Sequence, residues 1–201
     1  MLIKNLSVLS LLAISTLSLA NEPATPDEKD VNFGLHFGIG FGGDTLAEFT
    51  FDDGSTEEIK AGNGIILGAS FQNRLNHTGE NPLFAKVAFS YMFDSVDATN
   101  GDAKFSRYPL DLLLLSKANN ISFGGGLTYH LNPTLSVNAP GFSGDADFDN
   151  ALGFKVEANL HFNKQQFVNS SIGLEYTSID YEIDGYSFDG SGINLTFKTV
   201  Y

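Results

Sequence analysis

From Val31 onward the chain alternates apolar residues with polar or small ones. In VNFGLHFGIGFGG, one face holds Val31, Phe33, Leu35, Phe37, Ile39 and Phe41, and the other holds Asn32, Gly34, His36, Gly38, Gly40 and Gly42. Successive strand side chains point to opposite sides, so this period of two predicts a strand with one apolar face. Its length is close to the roughly 9 to 11 residues that a tilted strand needs to cross a bilayer. The alternation recurs over 83–94, with Leu83, Ala85, Val87, Phe89, Tyr91 and Phe93 opposite Phe84, Lys86, Ala88, Ser90, Met92 and Asp94. It returns over 121–132, where Asn132 falls on the polar face, over 148–162, where Phe148 falls on the apolar row, and over 172–177.

Weaker segments fill the gaps at 62–74, at 104–116, whose register the sequence leaves open, and at 186–201. Pro109 lacks a ladder donor and predicts a bulge or bend. The count reaches eight. Joins after the fourth and sixth strands are short, whereas those after the first, third and fifth are longer or acidic, as expected for periplasmic turns and extracellular loops. An even count puts both ends of the barrel on the periplasmic side. The segment Gly43–Gly62, with Asp53-Gly54 at its centre, predicts a β-ribbon projecting beyond the membrane.

These elements predict an all-β fold, an eight-stranded antiparallel up-and-down transmembrane β-barrel over 31–201. Residues 1–20 pair the early charge Lys4 with an apolar stretch and the small residues Ser18 and Ala20, the layout of a cleavable secretory signal peptide. Residues 21–30, NEPATPDEKD, read as a solvated periplasmic linker.

Composition changes the picture in three ways. Cysteine is absent, so an exported chain of this kind holds together through a large core or closure in a membrane. The net charge of -13 argues against nucleic acid, which needs clustered Lys and Arg. The 18 Phe, 7 Tyr and 21 Gly beside few charges are unusual for a water-facing surface. A secreted calyx would share the alternation, but its outer polar face would be dense in Lys and Glu. Here that face is mostly Gly, Ser, Thr, Asn and Ala, as a crowded barrel interior requires.

The exported N-terminus, the eight alternating segments and the terminal GINLTFKTVY together resemble the small eight-stranded outer-membrane barrels: the OmpA transmembrane domain, OmpX, OmpW and the opacity-type surface antigens. Members usually end in Phe, and this chain ends in Tyr201. The resemblance implies a bacterial outer-membrane location, contact with membrane lipid and lipopolysaccharide, and recognition by the barrel-assembly machinery through the C-terminal strand. An extracellular ligand or protein is a further partner it allows. It brings no subfamily motif, and this fold does not fix function.

Candidate chemistry is sparse. Lys86, Arg107, Lys155 and Lys198 fall on inward rows with Asp111, Glu157 and Glu175, and predict a salt-bridge network filling the barrel, since eight strands leave room for little more than side chains. The competing reading of these charges is a narrow gated pore. His36, His130 and His161 also face inward, without HExxH or a close His pair, so no metal centre or cofactor is expected. Tyr129-His130-Leu131-Asn132 lacks the adjacent serine that a lipid deacylase would need, so catalysis is not expected. Most acids lie in the outer loops, which suits solubility or, alternatively, divalent cations bridging lipopolysaccharide phosphates. Asp145, Asp147 and Asp149 match the first acidic triplet of a calcium loop, but Asn150 stands where such a loop needs Gly and Glu157 falls one residue late. The expected role is therefore non-catalytic, structural or surface-interacting through acidic loops. The alternative is an OmpW-like channel for small or hydrophobic molecules, with Phe49, Phe51, Phe142, Tyr181, Tyr186 and Phe188 as candidates to line its mouth.

Overall fold

A computed structural model describes residues 31–50, 54–76, 81–98, 101–139, 141–165 and 168–201. The expected signal peptide and linker, and Phe51 to Asp53 of the first ribbon's turn, lie outside the described residues. Thirteen strands follow in order: β1 (Val31–Gly42), β2 (Thr45–Thr50), β3 (Thr56–Lys60), β4 (Gly64–Arg74), β5 (Leu83–Ala98), β6 (Gly101–Ala118), β7 (Ile121–Ala139), β8 (Phe142–Asp147), β9 (Ala151–Gln165), β10 (Val168–Ser178), β11 (Asp180–Ile183), β12 (Tyr186–Asp189) and β13 (Gly192–Val200). Eight of them close an antiparallel barrel in the order β6-β5-β4-β1-β13-β10-β9-β7, with β7 returning to β6. The first and last strands seal against each other from Gly34↔Val200 to Gly42↔Gly192.

The apolar rows face outward. Phe33, Phe37, Leu67, Phe89, Leu114, Phe123, Phe154, Leu174 and Leu195 all stand about half exposed on the barrel wall. The ten residue steps from Val31 to Phe41, at about 3.3 Å each on strands tilted by about 40°, give an apolar belt about 25 Å tall. Aromatic rings thicken it in places: Phe37 and Phe197 lie 5.3 Å apart between centroids, and Tyr91 lies 5.2 Å from Tyr108. Closed barrels with such belts span bacterial outer membranes, and this surface is the one such a membrane requires.

Inside, apolar side chains occupy both ends and polar ones the middle. Phe84, Leu113 and Leu115 cluster toward the periplasmic end. The run of four leucines at 112–115 thus divides between the faces, Leu112 and Leu114 to lipid, Leu113 and Leu115 to the interior. Gly124 and Gly126 let β7 approach β6 closely, because a Cβ on either would run into the carbonyl oxygens of Leu114 and Leu112.

Four features depart from the sequence reading. First, the β6–β7 ladder shifts between Ser106 and Tyr108, where Asn132 and Pro133 of β7 both oppose Arg107. This is a β-bulge, made possible by Asn132 at φ 47, a left-handed value that Asn tolerates. Asn132 is accordingly exposed rather than inward, and Pro133 and Leu135 turn in above it. The β5–β6 ladder is also interrupted opposite Pro109, between Phe89↔Leu110 and Met92↔Arg107, but with equal residue counts on both strands. Second, Phe148 precedes β9 and is buried among extracellular aromatics instead of continuing the outward row. Third, segment 186–201 divides: Tyr186–Asp189 pairs with β11 across an Asp184-Gly185 turn, and only Gly192–Val200 enters the barrel. Fourth, the β2–β3 ribbon does not simply project, since Ile59 and the following Ala61 are fully buried over the barrel mouth.

The wall is lopsided. β5, β6 and β7 run 16, 18 and 19 residues, against 11 for β10 and 9 for β13. Beyond the bulge, β7 changes partner: Ile121–His130 pairs with β9, and Thr134–Ala139 pairs with β8. The upper parts of β5, β6 and β7 therefore continue with β8 as a four-stranded extracellular sheet. Its inner face packs with both ribbons around Ile59, Val96, Phe105, Leu135, Phe148 and Tyr181, a hydrophobic core outside the membrane.

Candidate functional site

Five strands deliver charge to the middle of the barrel: Lys86 from β5, Arg107 and Asp111 from β6, Lys155 and Glu157 from β9, Glu175 from β10 and Lys198 from β13. All seven are buried. Six of them form one continuous chain of opposite charges. Lys86 Nζ meets Glu157 Oε2 at 2.8 Å and Oε1 at 3.0 Å. Lys198 Nζ lies 2.9 Å from both Glu157 Oε2 and Glu175 Oε1. Lys155 Nζ continues it, 3.7 Å from Glu175 Oε2 and 2.6 Å from Asp111 Oδ2. Neutral groups satisfy spare lone pairs: Thr128 Oγ1 donates to Asp111 at 2.6 Å, Asn159 Nδ2 to Glu157 at 3.0 Å and Thr196 Oγ1 to Glu175 at 3.2 Å. Buried charges persist only when paired and hydrogen-bonded in this way.

Arg107 stands apart from that chain. Its Nη2 donates to the Asn63 carbonyl at 2.8 Å, and its guanidinium lies 4.8 Å from the centroid of the Phe105 ring. Tyr181, carried by β11, reaches down beside it. The Tyr181 hydroxyl lies 2.6 Å from His130 Nδ1, and its ring occupies the space a Cβ on Gly190 would need. Burial pushes the Tyr181 phenol up from its ordinary value, against the Arg107 charge, which pulls it down. Phe105 meets Phe148 and Tyr181 edge-on, with centroids 5.7 and 5.5 Å away. Phe148 meets Phe188 in the same way at 5.8 Å. Of the loop aromatics named from sequence, Tyr181, Phe188 and Phe49 therefore pack together, Phe142 and Tyr186 stay exposed, and Phe51 lies outside the described residues.

The other candidates scatter. His36 Nε2 pairs with Ser90 Oγ at 2.8 Å, and His161 Nε2 with Ser122 Oγ at 2.8 Å. Both serines are buried inside the barrel, away from lipid acyl chains. Asp145 and Asp147 are exposed on β8, where Asp147 accepts a bond from Thr134 Oγ1, and the Asp149 backbone N–H donates to the Glu182 backbone carbonyl. Among the described residues, no group of three or more His, Asp or Glu side chains converges as metal ligands would. At the rim, Lys60 pairs with Glu58 at 3.0 Å and draws that exposed carboxyl below its ordinary value. Ser191 does the same for Asp189 through hydrogen bonds to its side chain.

Sequence reasoning missed the partners that complete this interior. Tyr181 is named from sequence only as a candidate to line the mouth, Phe105 falls in the segment whose register the sequence leaves open, and the Asn63 carbonyl carries no side-chain signal. The sequence signal that could have found Tyr181 is the alternation of Tyr181 and Ile183 with Asp180, Glu182 and Asp184.

No known family model matches the chain, and no curated protein matches it in sequence. Among solved structures, Neisserial surface protein A is similar, with 12% identity and a TM-score of 0.52 over 86% of this chain and 96% of that one. Ail, the attachment invasion locus protein of Yersinia pestis, in complex with the heparin analogue sucrose octasulfate, has 14% identity and a TM-score of 0.50 over 86% of this chain and 100% of that one. The fold is that of the small eight-stranded outer-membrane barrels.

Proposed function

We propose that this chain is a non-catalytic outer-membrane barrel that holds a rigid extracellular sheet and acidic loops before a partner at the cell surface. The observation carrying this reading is the four-stranded extension of β5 to β8. Among the described residues β8 is paired with β7 alone, which leaves its outer edge with unused backbone donors and acceptors. Such an edge can accept an added strand, and Asp145 and Asp147 on it disfavour indiscriminate pairing. Phe142, exposed on β8 itself, supplies apolar contact. The charge of -13 favours a basic partner, or lipopolysaccharide phosphates bridged by divalent cations, over a polyanion of the kind bound to Ail. The paired charges and aromatic packing inside supply no support for passage of small molecules.

The test replaces 138–143 by Asn-Gly, which shortens the β7–β8 hairpin while keeping Leu135 and Ala146 in place. Cells displaying the shortened protein, which keeps only 144–147 of the β8 edge and lacks Phe142, should adhere less than cells displaying the parent, with the barrel still folded. Sustained single-channel steps from the parent in planar bilayers, together with unchanged adhesion by the shortened form, would favour the channel reading instead.

A further inference from the structure

Arg107 is charged, 1% exposed and joined to no carboxylate by an ion pair among the described residues. Its Nε and Nη1 make no close hydrogen bond, and the Tyr181 hydroxyl and the Asp94 carboxylate act on the guanidinium without forming an ion pair with it. The six-residue chain beneath it holds three cations and three anions, so it is neutral without Arg107. Asp94, another acid on an inward row, is half-buried at the mouth, where its Oδ2 accepts the Lys60 backbone N–H at 3.3 Å. A cavity of about 20 Å³ lies between the extracellular core and the ionic chain, lined by Arg107, His130, Asn194, Lys155, Asp111 and Glu175 among others. His130 Nε2 and Asn194 Oδ1 are also buried without partners. That room is enough to admit a small guest.

We propose that this cavity binds a single monovalent anion of halide size, held by the Arg107 guanidinium. A guanidinium cannot shed its proton, so burial leaves it a charge to be balanced as well as donors to be satisfied. Water answers the second need and not the first, whereas a halide answers both. Asp111 and Glu175 do not repel the guest strongly, since each is already neutralised, by Lys155 and by Lys198. Asn194 contributes a donor with its amide turned over, an exchange of O and N that leaves its shape unchanged.

The full chain is refolded in detergent micelles, with bromide as probe. Crystals soaked in bromide should show one anomalous peak within hydrogen-bonding reach of the Arg107 guanidinium. In solution, replacing gluconate by bromide at constant ionic strength should raise the thermal midpoint by roughly 5 °C once bromide exceeds its dissociation constant about a hundredfold. Arg107→Met should abolish that rise. A cavity without an anomalous peak at saturating bromide, or an equal bromide response in parent and variant, overturns the site. The crystallographic measurement uses the parent protein alone, so it decides even where Arg107→Met fails to fold.

Discussion

Glu157→Gln tests the interior at its most connected point. Glu157 accepts two bonds from Lys86 at 2.8 and 3.0 Å, one from Lys198 at 2.9 Å and one from Asn159 at 3.0 Å. The amide keeps the shape, removes the charge and turns an N–H toward an ammonium. Three cations then face two anions, with water largely shut out. Removing one partner of a buried pair costs about 3–5 kcal/mol. Lys198 keeps Glu175 at 2.9 Å, so the loss falls mainly on Lys86, whose ion pair is with Glu157 alone among the described residues. Adding Lys86→Met removes the stranded ammonium, so the double variant should be more stable than the sum of the singles by about 1–3 kcal/mol. Urea unfolding in lipid vesicles, followed by circular dichroism and by the folded band on gels, measures this; the chain has no Trp to report by fluorescence. A cost below about 1 kcal/mol for Glu157→Gln, or strict additivity with Lys86→Met, would refute the reasoning.

Phe105→Ala should loosen the extracellular core by about 3–5 kcal/mol and leave the membrane barrel intact. Protease cleavage in the outer loops should then accelerate while the folded band persists; unchanged loop protection would remove Phe105 from that role. Tyr181, whose phenol is raised above its ordinary value of 10.0, titrates later in the folded protein than in the unfolded chain. Its stabilising contribution is therefore complete below pH 10 and is lost as the pH climbs beyond it. An ultraviolet titration should show one late phenol that Tyr181→Phe deletes, and a profile identical in both proteins would contradict this.

The belt was legible because lipid imposes a rule with no exceptions along a whole row: Phe33, Phe37 and Phe41 had to share a side. Where lipid stops, the rule stops, but the alternation does not. Phe148 continues the apolar row of the sixth predicted strand in sequence yet packs inward, because above the membrane the apolar face belongs to the loop core. Tyr186–Asp189 likewise continued the last strand's alternation while belonging to a separate ribbon. Asn132 reads as inward from sequence since nothing in its type announces a bulge, although its tolerance of positive φ is what permits one. Pairings inside the barrel were not legible, since closure joins residues 71 apart in Lys86 and Glu157 and 44 apart in Lys155 and Asp111. Alternation says which way a side chain points, and the angular position of its strand decides whom it meets.

The change of partners along β7 has a mechanical meaning. One backbone, from Ile121 to Ala139, is hydrogen-bonded to the membrane barrel below and to the extracellular sheet above. A pull on the sheet along its strands therefore loads the inter-strand bonds of β6 and β7 in shear, many at once, with no pliable linker between grip and anchor. A cell tethered by this sheet would be tethered through its membrane wall.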